Sequence, residues 1–110
     1  MPRTAVARIW RGRTQAAIAE TYTSYLYEEG VKKLRATPGN LGVQVLRRIE
    51  GGVAEFMTVS YWGSRDQIRA YAGDDIRKTH HLAKDPEYLL ELPPFVDHFD
   101  VVIEEWPGSP

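Results

Sequence analysis

Two adjacent histidines, in the run Lys78-Thr79-His80-His81, are the residues of this sequence best suited to chemistry. Imidazole can ligate a metal or haem iron and can move protons near neutral pH. A pair of solvated loop histidines would look the same in sequence. A closed zinc site is not indicated, because it needs further ligands at suitable spacing. The third histidine, His98, falls in a strand-like run and fits a half-buried strand residue or one at a subunit interface. Aromatic residues form the second group. Trp10, Tyr25, Trp62 and Tyr71 are candidates to line a pocket for a flat ligand, since such pockets are mostly apolar and aromatic. Each also stands where a core residue is expected. The third group is Arg8, Arg47, Arg48 and Asn40. An arginine pointing inward from a strand can hold a substrate carboxylate or an anionic intermediate, or can pair with a nearby acid. Asn40 follows a glycine in a turn, and turn geometry alone accounts for it. The acids Asp74-Asp75 and Glu104-Glu105 are neighbours in sequence and so do not flank a bond as a glycosidase pair does. No Ser-His-Asp signature, phosphate-cradling loop or dinucleotide fingerprint is present.

The elements that must position these groups follow from periodicity. Thr4–Trp10 is a strand with Val6, Arg8 and Trp10 on one face and Ala5, Ala7 and Ile9 on the other. Arg11-Gly12-Arg13 is expected to end it, and Thr14 to cap a helix over Gln15–Glu29 with Ile18, Tyr22, Tyr25 and Leu26 as its apolar stripe. Gly30 is a point of interruption, with further turns through Val31 and Leu34. Thr37-Pro38-Gly39-Asn40 marks a turn. Leu41–Glu50 and Val53–Trp62 alternate as strands and join through Gly51-Gly52, the clearest hairpin in the chain. Ser64-Arg65-Asp66-Gln67 fits a capping box for a helix carrying Ile68, Tyr71 and Ala72, ended or bent by Gly73. Asp74–Leu92 is helical turns and loop, with a helix start at Asp85-Pro86-Glu87. Phe95–Glu104 is the last strand, and 105–110 a flexible tail beyond a core of about 4–104.

The order is β-α-β-β-α-β, the split βαβ or ferredoxin-like arrangement: an α+β, four-stranded antiparallel sheet with helices on one face. The central strands are apolar on both faces, with Phe56 and Trp62 on one and Met57, Val59 and Tyr61 on the other. A solvated second face would be more polar, so a second copy of the chain is the simplest cover. The chain has 110 residues, enough for one domain. With 14 basic and 15 acidic residues and a net charge of −1, it lacks the basic excess that nucleic acid demands. No apolar stretch approaches the roughly 18–20 residues that span a bilayer. Cysteine is absent, which removes thiolate chemistry and disulfides and fits a cytoplasmic location.

Specific stretches then resemble a known family. Thr37-Pro38-Gly39-Asn40-Leu41-Gly42-Val43-Gln44-Val45-Leu46-Arg47-Arg48 resembles its turn and second strand, and Glu55–Trp62 followed by Gly63-Ser64 resembles its third strand ending in W-x-S. Ile68-Arg69-Ala70-Tyr71-Ala72-Gly73 is similar to the helix that follows. With the opening strand Val6–Trp10, these mark the antibiotic biosynthesis monooxygenase-like proteins of the dimeric α+β barrel superfamily, over about residues 4–103. The resemblance implies a homodimer with facing sheets and a pocket in each subunit between sheet and helices. Some members oxygenate polycyclic aromatics or quinols with molecular oxygen and no metal, flavin or haem, using a tryptophan, asparagine or arginine to stabilise a substrate anion. Trp62 takes the W-x-S position. Arg8 and Tyr71 are the candidates to meet an anionic substrate, His80 or His81 to transfer protons at the mouth, and Trp10, Tyr25 and Trp62 to line the pocket. Another branch binds and degrades haem, with an asparagine on the first strand, a tryptophan on the second helix and a histidine nine or ten residues later. Tyr71 stands at that tryptophan position and His80 and His81 follow at nine and ten residues, while the sole asparagine is Asn40. Three functions are therefore expected as alternatives: a cofactor-independent monooxygenase of a small aromatic, quinol or polyketide-like substrate, a haem-binding or haem-degrading protein with His80 or His81 as axial ligand, and a non-catalytic small-molecule-binding or accessory dimer.

Overall fold

The computed structural model describes residues 5–108. Thr4 and the last two residues of the expected tail lie outside that range. Four strands form one antiparallel sheet in the order β2-β3-β1-β4: β1 (Ala5–Gln15), β2 (Asn40–Glu50), β3 (Val53–Trp62) and β4 (Asp97–Val101). Helix α1 covers residues 16–36, α2 is Arg65–Ala72, and a short α3, Asp85–Tyr88, precedes β4. This is the ferredoxin-like arrangement with helices on one face.

The first strand does not end at Trp10. It continues to Gln15, paired with β3 along its whole length from Val6 opposite Trp62 to Gln15 opposite Val53. The Arg11-Gly12-Arg13 segment fits a strand for a reason that is tertiary. The Trp10 ring lies over Gly12, where an added Cβ would collide with it. Arg11 and Arg13 point outward and pair with Asp97 and Glu91, each at 2.6 Å. Thr14 is thus a buried strand residue and not a helix cap. Helix α1 instead starts at Ala16, whose N–H donates to the Gly52 carbonyl at 2.8 Å.

Nor does Gly30 interrupt the helix. Residues Leu26–Val31 form a wide π-helical turn between ordinary helical turns. In a straight α-helix, residues eight apart sit about 80° from one another around the axis. The longer i→i+5 bonding of a π-turn underwinds the rod. Leu26, Gly30 and Leu34 are accordingly all buried on the sheet side. Gly30 contributes a bare backbone there, and a Cβ at that position would sit 3.4 Å from Leu82 Cδ1.

Gly51 and Gly52 have φ of 55° and 83°, the left-handed pair that a tight two-residue hairpin needs. Ser64 caps α2 by accepting the Gln67 N–H at 3.3 Å, and Gly73, at φ 85°, ends it. The last strand is shorter than the alternation predicts. Its pairing with β1 runs only from Asp97 opposite Ile9 to Val101 opposite Ala5. Phe95 bridges to Lys78 instead. That bridge, with Val96 N–H to the Arg77 carbonyl at 2.9 Å and Thr79 N–H to the Pro94 carbonyl at 3.0 Å, ties the loop after α2 to the approach to β4.

Two apolar clusters lie between sheet and helices. Ala19, Tyr22, Leu26, Ala54, Phe56 and Leu89 form one. Val6, Leu34, Trp62 and Ile68 form the other. The opposite face of the sheet is also apolar, with Ala5, Ala7, Ile9, Leu46, Val59 and Tyr61 lining a shallow concavity. No helix among the described residues is long and apolar enough to cross a membrane.

Candidate functional site

The pocket lies between the two clusters, touching Leu26 of one and Leu34 of the other. Its volume is about 50 Å³. Its walls are largely apolar, from Trp10, Leu26, Val31, Leu34, Leu82 and Val96, with Arg8, Thr58, Tyr71, His80 and Asp85 as polar groups.

Strand β1 delivers Arg8 into this space because residues 6, 8 and 10 share the inward face. Arg8 is 4% exposed. Its Nη1 donates to the Ile76 carbonyl at 2.5 Å and meets His98 Nε2 at 3.1 Å, and Nη2 donates to the Lys78 carbonyl at 3.1 Å. A guanidinium has five N–H donors in a planar fork. Both on Nη1 and one on Nη2 are engaged, which leaves Nε–H and the second Nη2–H free to donate to a ligand oxygen. Among the described residues no carboxylate neutralises the charge. Burial lowers the arginine's pKa from its ordinary value, yet arginine remains charged in proteins. His98 Nε2 must accept, so its proton sits on Nδ1. Burial and the Arg8 charge both hold its pKa down.

Tyr71, on α2, borders Arg8 and packs against His80 with ring centroids 4.8 Å apart and the rings tilted by 55°. Burial raises the Tyr71 pKa, with Arg8 pulling it down and Asp85 pushing it up, so the phenol keeps its proton at neutral pH and can donate. His80 is exposed at the rim. Burial of its ring, then the Arg8, Lys33 and His81 charges, lower its pKa, so it is uncharged at neutral pH and can accept a proton. The pocket thus pairs an unneutralised cation with a neutral base and a phenolic acid.

No protein-family model matches the sequence, and no curated protein is similar to it. The likeness is in the fold, and several solved structures that it resembles carry an activity in their names. A putative antibiotic biosynthesis monooxygenase from Bacillus cereus superposes with a TM-score of 0.57 at 12% identity, over 98% of this chain and 100% of that one. SnoaB, a cofactor-independent oxygenase from Streptomyces nogalater, does so with a TM-score of 0.54 at 11% identity, over 98% and 100%. The haem-degrading protein Rv3592 from Mycobacterium tuberculosis gives 0.64 at 19% identity, over 93% and 99%. The chain has the antibiotic biosynthesis monooxygenase-like fold.

Within this monooxygenase-like fold, four of the seven residues singled out from sequence meet at one cavity: Arg8, Trp10, Tyr71 and His80. The other three stand elsewhere. Trp62 is fully buried in the second cluster, its Nε1 donating to Ser60 Oγ at 2.9 Å. Tyr25 packs on Tyr22 and Tyr88, and its hydroxyl accepts the Lys84 N–H at 2.7 Å. His81 lies behind the pocket wall, its Nδ1 3.7 Å from Asp85 Oδ2. Of the further arginines, Arg47 pairs with Glu20 at 2.8 Å and Arg48 with Glu55, both on the surface. Asn40 opens β2 and accepts from Arg35 Nη1 at 2.9 Å.

Sequence reasoning missed Thr58 and Asp85. Thr58 shares the inward face with Phe56 and Trp62, and period-two counting flags it as a polar residue turned inward. Asp85 is 1% exposed and accepts from Tyr22 Oη and Leu82 N–H, both at 2.8 Å. Only its place before Pro86 hinted at a special role. Among the described residues no three metal-ligating side chains converge. A porphyrin needs a cleft of about 300 Å³ or more, and Arg8 spans this pocket from sheet to loop. At about 50 Å³ the pocket as it is closed here holds neither a porphyrin nor a fused-ring aromatic, so either ligand requires it to open.

Proposed function

We propose that the chain is a cofactor-independent oxygenase of small aromatic, quinol or polyketide-like molecules, acting as a homodimer. The observation that carries this reading is Arg8, a buried cation without a carboxylate partner in an apolar pocket. Such a group stabilises negative charge that develops on a substrate oxygen. For an anthrone-type substrate, admitted when the pocket opens, His80 takes a proton and Arg8 holds the resulting enolate oxygen. The electron-rich carbon of that anion forms a bond to dioxygen. Tyr71 donates a proton to the resulting peroxide. Loss of a second proton from the same carbon breaks the O–O bond, leaving a ketone on the substrate and water as the second product. Dioxygen is the oxidant, and no further reductant is required. Likeness of fold to SnoaB agrees with this reading but does not carry it. The cysteine-free composition fits work in a reducing cytoplasm.

Oxygen uptake tests the proposal. The purified protein is expected to consume one dioxygen per anthrone, without added metal or flavin and undiminished by a chelator. Absence of uptake with anthrones and hydroquinones would remove it. A saturable Soret shift on hemin titration would then favour haem binding through His80 or His81 after pocket opening, and a negative hemin titration a non-catalytic binding or accessory role.

The dimer rests on the second sheet face. Leu46 and Phe99 are 49% and 55% exposed there, with Ile103 and Trp106 at 84% and 54% beside them. An exposed apolar surface of this kind marks an association site. Light scattering is expected to give twice the chain mass. A concentration-independent 12.5 kDa would rule the dimer out.

A further inference from the structure

Thr58 is a buried polar group that the proposed chemistry leaves unused. It is 9% exposed, lines the pocket, and its Oγ1 is buried with no hydrogen-bond partner among the described residues. Other buried hydroxyls are engaged. Ser60 Oγ, two residues along the same strand face, accepts from Trp62 Nε1. Thr14 Oγ1 donates to the Gln15 carbonyl at 3.0 Å, and Tyr22 Oη donates to Asp85. An unpaired buried hydroxyl costs the fold stability, and a valine of similar shape would avoid that cost. Its position says what it is for. Trp10 is opposite Thr58 and Arg8 is opposite Ser60, so Thr58 and Arg8 are diagonal neighbours on one sheet face, with Cβ atoms roughly 7 Å apart. The Arg8 head leans toward β4, where it meets His98, and Thr58 stands on the β3 side, so the two polar groups border the same pocket from either side of its floor and one ligand can meet both.

We propose that Thr58 sets ligand choice: its hydroxyl bonds a second oxygen of the aromatic whose first oxygen Arg8 holds. The pocket then prefers a compact arene that carries two oxygens, such as a dihydroxyarene or a hydroxyaryl ketone, over one with a single oxygen. The inference rests on the reading of this pocket as the site of an oxyanion-bearing aromatic, but not on any reaction with oxygen.

The test is binding under nitrogen of 2,3-dihydroxynaphthalene against 2-naphthol, which differ by one hydroxyl. Wild type is expected to prefer the diol by about tenfold, the worth of one good hydrogen bond. Thr58→Val should erase the preference and Thr58→Ser should keep it. Thr58→Val should also melt at or above the wild-type temperature, because it removes an unpaired hydroxyl. A structural role for the hydroxyl predicts the reverse, and a Thr58→Val protein that melts well below wild type overturns the inference. So does a preference that survives in Thr58→Val, or a wild type that binds the two compounds equally or not at all. A Thr58-dependent preference without oxygen uptake would uphold the inference and remove the oxygenase. Uptake with a Thr58-independent preference would do the opposite.

Discussion

Arg8→Lys should reduce kcat/KM for oxygen uptake by about 10²–10³, the usual loss when an oxyanion donor is removed, while the protein still folds. Lysine keeps the charge and can satisfy one of the two loop carbonyls, but it lacks the planar fork. Arg8→Met should lose the same activity and also stability, because the Ile76 and Lys78 carbonyls, now accepting from the guanidinium, would be orphaned at about 1–3 kcal/mol each. Oxygen-uptake kinetics and thermal melts on the two variants separate the roles. If Arg8→Lys retained more than about a tenth of the activity, charge alone would suffice and the fork would have no special part.

The largest effect on stability is expected at Asp85. Its carboxylate accepts the Tyr22 hydroxyl and the Leu82 N–H in a site with 1% exposure. Burial first, and the Asp85 charge next, push the Tyr22 pKa far above its ordinary value, so that hydroxyl is a committed donor. Asp85→Ala leaves both donors unpaired and opens space beside Leu82, a loss of about 2–6 kcal/mol if each donor costs about 1–3. Asp85→Asn keeps the acceptor for Tyr22 and should lose less. Tyr22→Phe in the Asp85→Ala background should cost much less than Tyr22→Phe alone, because the bond is already gone. Denaturant melts of the four proteins check this. Additive losses would mean that the two side chains do not act as a unit.

What the sequence displayed was local, and what it hid was tertiary. Period-two alternation put Val6, Arg8 and Trp10 on one face of β1, and the glycine pair at 51 and 52 marked the hairpin, because each signal lies within a few residues. The length of β1 was hidden because Gly12 looks like a breaker until the Trp10 ring is laid across it. Inward phase could not tell a residue that meets core from one that meets a cavity. Trp62 and Arg8 both point inward, and only the packing of Leu34 and Ile68 around Trp62 closes the space there. The Tyr22–Asp85 bond joins residues 63 apart, and nothing near either one announces the other.

The wide turn at Leu26–Val31 makes the length of helix α1 adjustable by one residue without moving what lies beyond it. Glu28 and Glu29 are exposed, so either can be lost from the solvent side. Removing one would let the segment relax to an ordinary helix, and Leu34, then seven residues after Leu26, would stand about 700° round the axis and stay on the sheet side. Leu26 and Leu34 would still wall the cavity. A gap of one residue at this point in an otherwise similar chain therefore marks a helix without the wide turn, and the register of α1 beyond it is kept.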